Sequence, residues 1–115
     1  MIKEKLTGTD RELVLRAQNL IREKQKEDQH SVSAVLMTKS GKIFEGLHIE
    51  ATVGRIAVCA EAIAMGQAAV DGDMELDTIV AVYKTGSVVS PCGMCRELLS
   101  DYSPQVRVIL HDAEG

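Results

Sequence analysis

The chain of 115 residues has no tryptophan, and Phe44, Tyr83 and Tyr102 are its only aromatics. Serial stacking on unpaired bases is therefore not expected. Basic residues are not in excess: 13 Lys and Arg stand against 17 Asp and Glu, for a net charge of −4. That balance argues against an electrostatic grip on nucleic acid, which needs a basic face. No apolar run approaches the ~18 residues of a membrane span, so no membrane partner is expected. The opening MIKEKLTGTDRELVL mixes charges into its apolar residues. It lacks the apolar stretch of a secretory signal, and a cytoplasmic location is expected. Internal repeats, linkers and low-complexity tracts are absent too. With 45% apolar residues, residues 1–115 read as one domain with a core of its own and a radius of gyration of roughly 13 Å.

Cysteine is scarce but informative. Cys59, Cys92 and Cys95 are the full set. An odd number is a poor disulfide framework, which leaves metal binding, redox chemistry or buried packing.

Thr9-Asp10-Arg11-Glu12 reads as a capping box, and Leu13, Ala17, Leu20 and Ile21 recur at helical spacing. A helix is expected over 10–26. Residues 31–38 and 42–50 read as a hairpin of two strands about the turn Lys39–Lys42. Residues 57–70 are alanine-rich and apolar on nearly all sides, the pattern of a buried helix that Gly72 ends. A strand over 76–84, a helix over 90–102 and a strand over 106–111 complete the order α-β-β-α-β-α-β. Strands separated by helices imply parallel pairing through crossovers, with the first hairpin antiparallel. The expected fold is α/β, a three-layer α-β-α sandwich about a mixed sheet.

All three cysteines fall at helix starts. Cys92 and Cys95 are three apart, so both project to one side of a first turn and can chelate one ion. Pro91 stiffens the entry, and Gly93 is expected to clear space for metal and substrate. Cys59 and Glu61 are two apart, about 200° around a regular helix. They can serve one site only beyond the helix end, near its axis. Brought together, the two helix N-termini would frame one pocket. Three thiolates give zinc three ligands and leave a fourth position for water, the mark of a catalytic site. Glu61 could then take the proton of that water. Three thiolates and Zn²⁺ sum to −1; helix N-termini offset part of this, and Arg96 is a candidate to offset more. A redox C-x-x-C is the rival reading, but it leaves Cys59 unexplained. Buried structural cysteines are the other rival, and they do not explain the carboxylate beside Cys59.

Cys59-Ala60-Glu61, followed some thirty residues later by Ser90-Pro91-Cys92-Gly93-Met94-Cys95-Arg96-Glu97, resembles the zinc-dependent cytidine deaminases. The three-cysteine form is similar to the small homotetrameric cytidine deaminases and the related blasticidin-S deaminases. The resemblance runs from about Val32 to Asp112. It implies zinc on Cys59, Cys92 and Cys95, with Glu61 as proton shuttle while an activated water attacks the amino-bearing ring carbon. It implies that groups around Ala60 and Ser90 hold the base edge. The implied substrate is a small aminopyrimidine nucleoside or analogue. The implied assembly is a homo-oligomer, a tetramer, for which the small residues Gly66, Ala68 and Ala69 of the second helix would permit close approach.

The chain also departs from the family. The family's N-x-E, whose Asn and Glu hold a sugar hydroxyl, is His48-Ile49-Glu50 here. His30 stands where the family places a base-stacking Phe, and Ala62 follows C-A-E where the family often has Arg. The family continues beyond the equivalent of 112–115 into a further strand and helix, which this sequence does not contain. His48 and Glu50 are expected on the sugar side of the pocket. A blasticidin-type or other modified-cytosine deaminase, a non-catalytic zinc-bound nucleoside scaffold and a thiol redox protein are the competing functions.

Overall fold

A computed structural model describes residues 6–27, 29–51 and 57–111. Its first helix, α1 (Gly8–Lys24), begins two residues earlier than the sequence pattern suggests. Thr7 is the N-cap: its hydroxyl accepts the Asp10 N–H and the Asp10 carboxylate accepts the Thr7 N–H, both at 3.0 Å. The box is thus Thr7–Asp10 rather than Thr9–Glu12. Arg107, near the chain's far end, settles the choice. Its guanidinium donates to both Asp10 oxygens at 3.1 and 2.9 Å, so the buried carboxylate has partners only in this frame.

The hairpin forms as expected. Strand β1 (Val32–Thr38) pairs antiparallel with β2 (Ile43–Leu47). His48 interrupts the second strand, and β3 (Ile49–Glu50) pairs instead with β4 (Ala57–Val58) in a separate two-stranded ribbon. Ala57 and Val58 are therefore strand, not helix; α2 spans Ala60–Asp71 with Cys59 as its N-cap. Gly72 stops it at φ 80°, the left-handed conformation that glycine adopts without a Cβ penalty.

Next comes β5 (Leu76–Tyr83), then the short β6 (Val88–Val89), α3 (Gly93–Tyr102) and β7 (Arg107–Val108). The sequence pattern did not reveal β6. It turns back on β5 with Ala81 opposite Val89. Lower on the same edge, β7 runs parallel to β5 through the α3 crossover. The main sheet has the order β2-β1-β5-β6, with β7 also on β5. Here the expected pairing needs correction. β2 and β5 flank α2 and do run parallel, but they are not neighbours: β1 lies between them, antiparallel to both. The hairpin forces this, because β2's inner edge is already taken.

The three layers follow from alternation along the strands. Val35, Val80 and Val82 face Leu13, Val14, Ala17 and Ile21 of α1. Ala34, Leu36, Ile79 and Ala81 face Ala60, Ala64, Met65 and Ala68 of α2, with Leu99 of α3. Each buried Val, Leu or Ile contributes about 1.5–3 kcal/mol by leaving water. The radius of gyration is 13.1 Å, the value expected of one such unit. Among the described residues, no helix is long and apolar enough to cross a membrane. Residues 112–115, where the family's final turn was expected, lie outside the described residues.

Candidate active site

α2 and α3 both start with a cysteine in extended conformation as N-cap: Cys59 at φ −65°, ψ 145° and Cys92 at φ −72°, ψ 171°. Neither side chain caps its own helix, so both sulfurs are free to turn to a third partner. That partner is the buried Cys95, one turn into α3. All three sulfurs lie within 4.8 Å of one another. The thiols are free, and the 2.9 Å between the Cys59 and Cys92 sulfurs is far longer than the ~2.05 Å of a disulfide. Tetrahedral zinc with bonds of about 2.3 Å would set its sulfurs about 3.8 Å apart. A trio confined to 4.8 Å fits that ion with small side-chain adjustments.

Strand packing brings the two helix starts together. β2 lies so close to the first turn of α2 that a Cβ on Gly46 would stand 2.4 Å from the Ala60 carbonyl oxygen and 2.6 Å from the Ala64 nitrogen. On the other side, β6 delivers Ser90 and Cys92 directly from the edge of β5. Between them is a cavity of about 150 Å³ lined by Val32, His48, Cys59, Ala60, Glu61, Val89, Ser90 and Cys92. Cys59 and Glu61 both reach it, as the helix-end argument requires of residues two apart.

Glu61 is 5% exposed. Burial raises its carboxyl above the usual range, although its own backbone N–H and the Cys95 thiol work the other way. Burial also pushes the Cys95 thiol up strongly, helped by the Glu61 charge, and raises Cys59. At Cys92 burial works upward too, but hydrogen bonds from the Cys59 thiol and from the Cys95 and Met94 amides hold it below the usual range. Cys92 is exposed at the N-terminus of α3.

His48, Ala60 and Ser90 thus line the same cavity as Cys59, Glu61 and Cys92. Glu50 stands one bond behind, its Oε1 3.1 Å from Nε2 of His48. His30 is elsewhere: it lines a neighbouring apolar groove with Leu20, Leu47 and Ile63, and its Nδ1 donates to the His48 carbonyl at 2.8 Å. Val32 and Val89 provide the apolar wall instead. Arg96 is exposed and lines a groove with Pro91, Leu99 and Pro104. A Cβ on Gly93 would meet no protein atom within 4 Å, whereas Gly46 makes room for the first turn of α2. Val32 and Gly46 carried no signal beyond an ordinary strand pattern, and Val89 lay in a segment that the sequence pattern left unassigned.

Residues 7–111 match the family described as the cytidine and deoxycytidylate deaminase zinc-binding region. The chain is 48% identical over 113 residues to a blasticidin-S deaminase of Bacillus cereus, covering 91% of this chain and 81% of that one. It is 32% identical over 85 residues to a cytidine deaminase of Halalkalibacterium halodurans, covering 73% of this chain and 64% of the relative. The crystal structure of a cytidine deaminase from Burkholderia pseudomallei is 30% identical and superposes with a TM-score of 0.75 over 96% of this chain and 88% of that one. One from Mycobacterium leprae, 21% identical, shares the fold with a TM-score of 0.78 over 96% and 92%. A mixed α/β sandwich with a three-thiol centre between two helix starts is the architecture of zinc-dependent deaminases. This chain belongs to the cytidine deaminase family, and Cys59, Cys92 and Cys95 form its zinc-binding site.

Proposed function

We propose that the protein hydrolytically removes the amino group of a cytosine-type nucleoside or nucleoside analogue, with Glu61 as the proton shuttle. The observation that carries this is a buried carboxylate sharing a 150 Å³ cavity with two of the three clustered thiols. A zinc ion on Cys59, Cys92 and Cys95 supplies, when bound, the Lewis acidity that lets water lose a proton near neutral pH. Glu61 takes that proton. Its raised pKa makes it a better base than an ordinary carboxylate and keeps it able to donate. Glu61 gives that proton to the ring nitrogen as the water oxygen bonds to the amino-bearing carbon. It then takes the remaining proton of the added hydroxyl and passes it to the amine, so that the carbon–nitrogen bond breaks, ammonia leaves and a carbonyl remains.

Val32 and Val89 exclude water around the ring, while Ala60 and Ser90 offer polar groups to the base edge. The cavity is smaller than the ~300–1,000 Å³ of pockets that enclose whole ligands, so it takes the base alone. The rest of the substrate stays at the mouth, near His48 and Glu50. A modified cytosine nucleoside of the kind the Bacillus cereus relative is named for is the favoured substrate. Two features support it: the 48% identity, and a His48–Glu50 pair at the mouth rather than a short amide. Assembly as a homotetramer in the cytoplasm belongs to the same proposal. The 91% exposure of Val70 and the apolar groove of Met65, Gly66, Ala69 and Leu98 support self-association.

The test is ammonia release from a panel of cytidine, deoxycytidine, cytosine and blasticidin S, with light scattering on the same sample. Turnover of the modified nucleoside in preference to cytidine is expected, from a particle larger than the monomer. Cytidine as the best substrate would overturn the finer reading, and a monomer would overturn the assembly.

A further inference from the structure

The two halves of the thiol centre are held unequally. α2, which brings Cys59 and Glu61, buries five residues: Ala60, Glu61, Ala64, Met65 and Ala68. α3, which brings Cys92 and Cys95, buries two, Cys95 and Leu99. The start of α3 therefore depends on the arm that leads into it. That arm is the hairpin of β5 and β6. β6 is two residues long and meets β5 at Val82 opposite Val88 and Ala81 opposite Val89. Its alternating side chains reach both layers. Val88 packs with the α1-side cluster, while Val89 packs with the α2-side cluster and lines the cavity. Ser90 and Cys92, which line the same cavity, follow at once.

The tip of the arm is tied to α1. Its turn is closed by the Tyr83 N–H donating to the Ser87 carbonyl at 2.9 Å and by the Gly86 N–H donating to the Tyr83 carbonyl at 2.8 Å. The Gly86 carbonyl in turn accepts from the side-chain amide Nε2 of the half-buried Gln18 at 3.0 Å. Just past α1, Glu27 adds a 4.0 Å ion pair with Lys84, and a pair so exposed and so long contributes little. Gln18 thus reaches the arm from α1, on the face of the sheet opposite α2 and α3.

We infer that Gln18 is a positioning residue for the metal site: from the far face of the sheet it fixes, through the Gly86 carbonyl and β6, the place of Cys92 against Cys59. Opening of the arm carries Cys92 away from Cys59, so closure of the arm sets how long zinc is retained. The inference rests on the three-thiol site and needs no particular substrate.

Zinc release and amide hydrogen exchange test this on the zinc-loaded protein without turnover. Gln18→Leu keeps much of the side-chain volume and removes the donor. Zinc transfer to an excess of a chromophoric chelator should become about fivefold faster, the whole of what one neutral hydrogen bond contributes. The Tyr83 and Gly86 amides, which close the turn, should exchange faster by a similar factor. Gln18→Lys can still donate to the Gly86 carbonyl and should restore most of both. Ser103→Ala is the control for mere loss of stability. The Ser103 hydroxyl donates to the Met74 carbonyl at 2.8 Å and accepts the Leu76 N–H at 3.0 Å, at the other end of α3. Its removal should lower the urea midpoint at least as far as Gln18→Leu does and leave zinc release within about twofold of wild type. Wild-type zinc release in Gln18→Leu, or equal acceleration in Ser103→Ala, would overturn the inference. Absence of ammonia from every aminopyrimidine would end the deaminase reading, and both measurements would still decide this inference.

Discussion

Replacing Gly46 with alanine should damage both the fold and the site. The new Cβ would stand 2.4 Å from the Ala60 oxygen. A carbon and a carbonyl oxygen rest comfortably only near 3.3 Å, so about 0.9 Å must be found. The Ala64 nitrogen at 2.6 Å and Ile63 Cβ at 3.1 Å block the neighbouring directions. Two of these three atoms are helix backbone, and the turn is closed by the Ile63 N–H donating to the Cys59 carbonyl at 3.2 Å. Rotamer changes cannot absorb the clash; β2 and α2 have to separate. Overpacking costs typically 1–3 kcal/mol, and a backbone clash belongs at the top of that range. Ala60 sits between Cys59 and Glu61, so the same displacement moves a zinc ligand and the proton shuttle. A shift of about 1 Å can lower turnover on the order of 10²-fold. Urea denaturation at fixed zinc concentration measures the first effect, and ammonia release measures the second. Gly93→Ala is the control, because its Cβ meets open space at the start of the other helix; its stability should stay within about 1 kcal/mol of wild type. Gly46→Ala with a wild-type urea midpoint and wild-type turnover would refute the reasoning.

The metal centre makes a second prediction. Cys92→Ala or Cys95→Ala should reduce zinc by elemental analysis from about one ion per chain to near none, and a chelator should lower the melting temperature of the wild type but not of either variant. Full zinc occupancy in Cys95→Ala would remove that residue from the ligand set. Asp10 makes a third. Burial alone would raise its carboxyl, but the hydrogen bonds from Arg107 and Thr7 outweigh burial and hold it below the usual range. A carboxyl depressed by folding contributes stability that is present above its unfolded pKa of about 3.9 and is lost as pH falls through the folded value. Asp10→Asn should cost about 2–3 kcal/mol at neutral pH, less than a fully buried pair because Arg107 is part-exposed. The gap from wild type in urea midpoint should narrow from about pH 5 downward; a gap that stays constant to pH 3 would contradict the assignment.

Legibility in the sequence followed the range of the interactions. The zinc ligands were readable because their geometry is local: Cys92 and Cys95 are fixed by one helix turn, and Cys59 and Glu61 by a helix start. Short, nearly continuous apolar runs in 31–38 and 76–84 revealed the sheet, since both faces of those strands are covered. What failed depended on distant partners. Thr7 and Thr9 each precede an acidic residue by three, and only Arg107, across the molecule, selects Thr7. Ala57 and Val58 have helical composition, yet Glu50 and Ile49 draw them into a ribbon. His30, which the resemblance aligns with the family's base-stacking Phe through a loop, lines the neighbouring groove, and Val32 two residues on takes the wall. Gly46 is silent in the sequence, because what it accommodates is a helix that packs against it only in the folded chain.

The central claim is that Glu61 moves protons in a zinc-loaded deaminase site. Glu61→Gln keeps the shape of the side chain and removes its basicity, so zinc content and ammonia release measured on one preparation test the claim directly. The account predicts undiminished zinc with turnover of the best aminopyrimidine substrate lowered at least ~10²-fold, the lower end for a general acid–base group. Turnover within a few-fold of wild type at full zinc occupancy would contradict it.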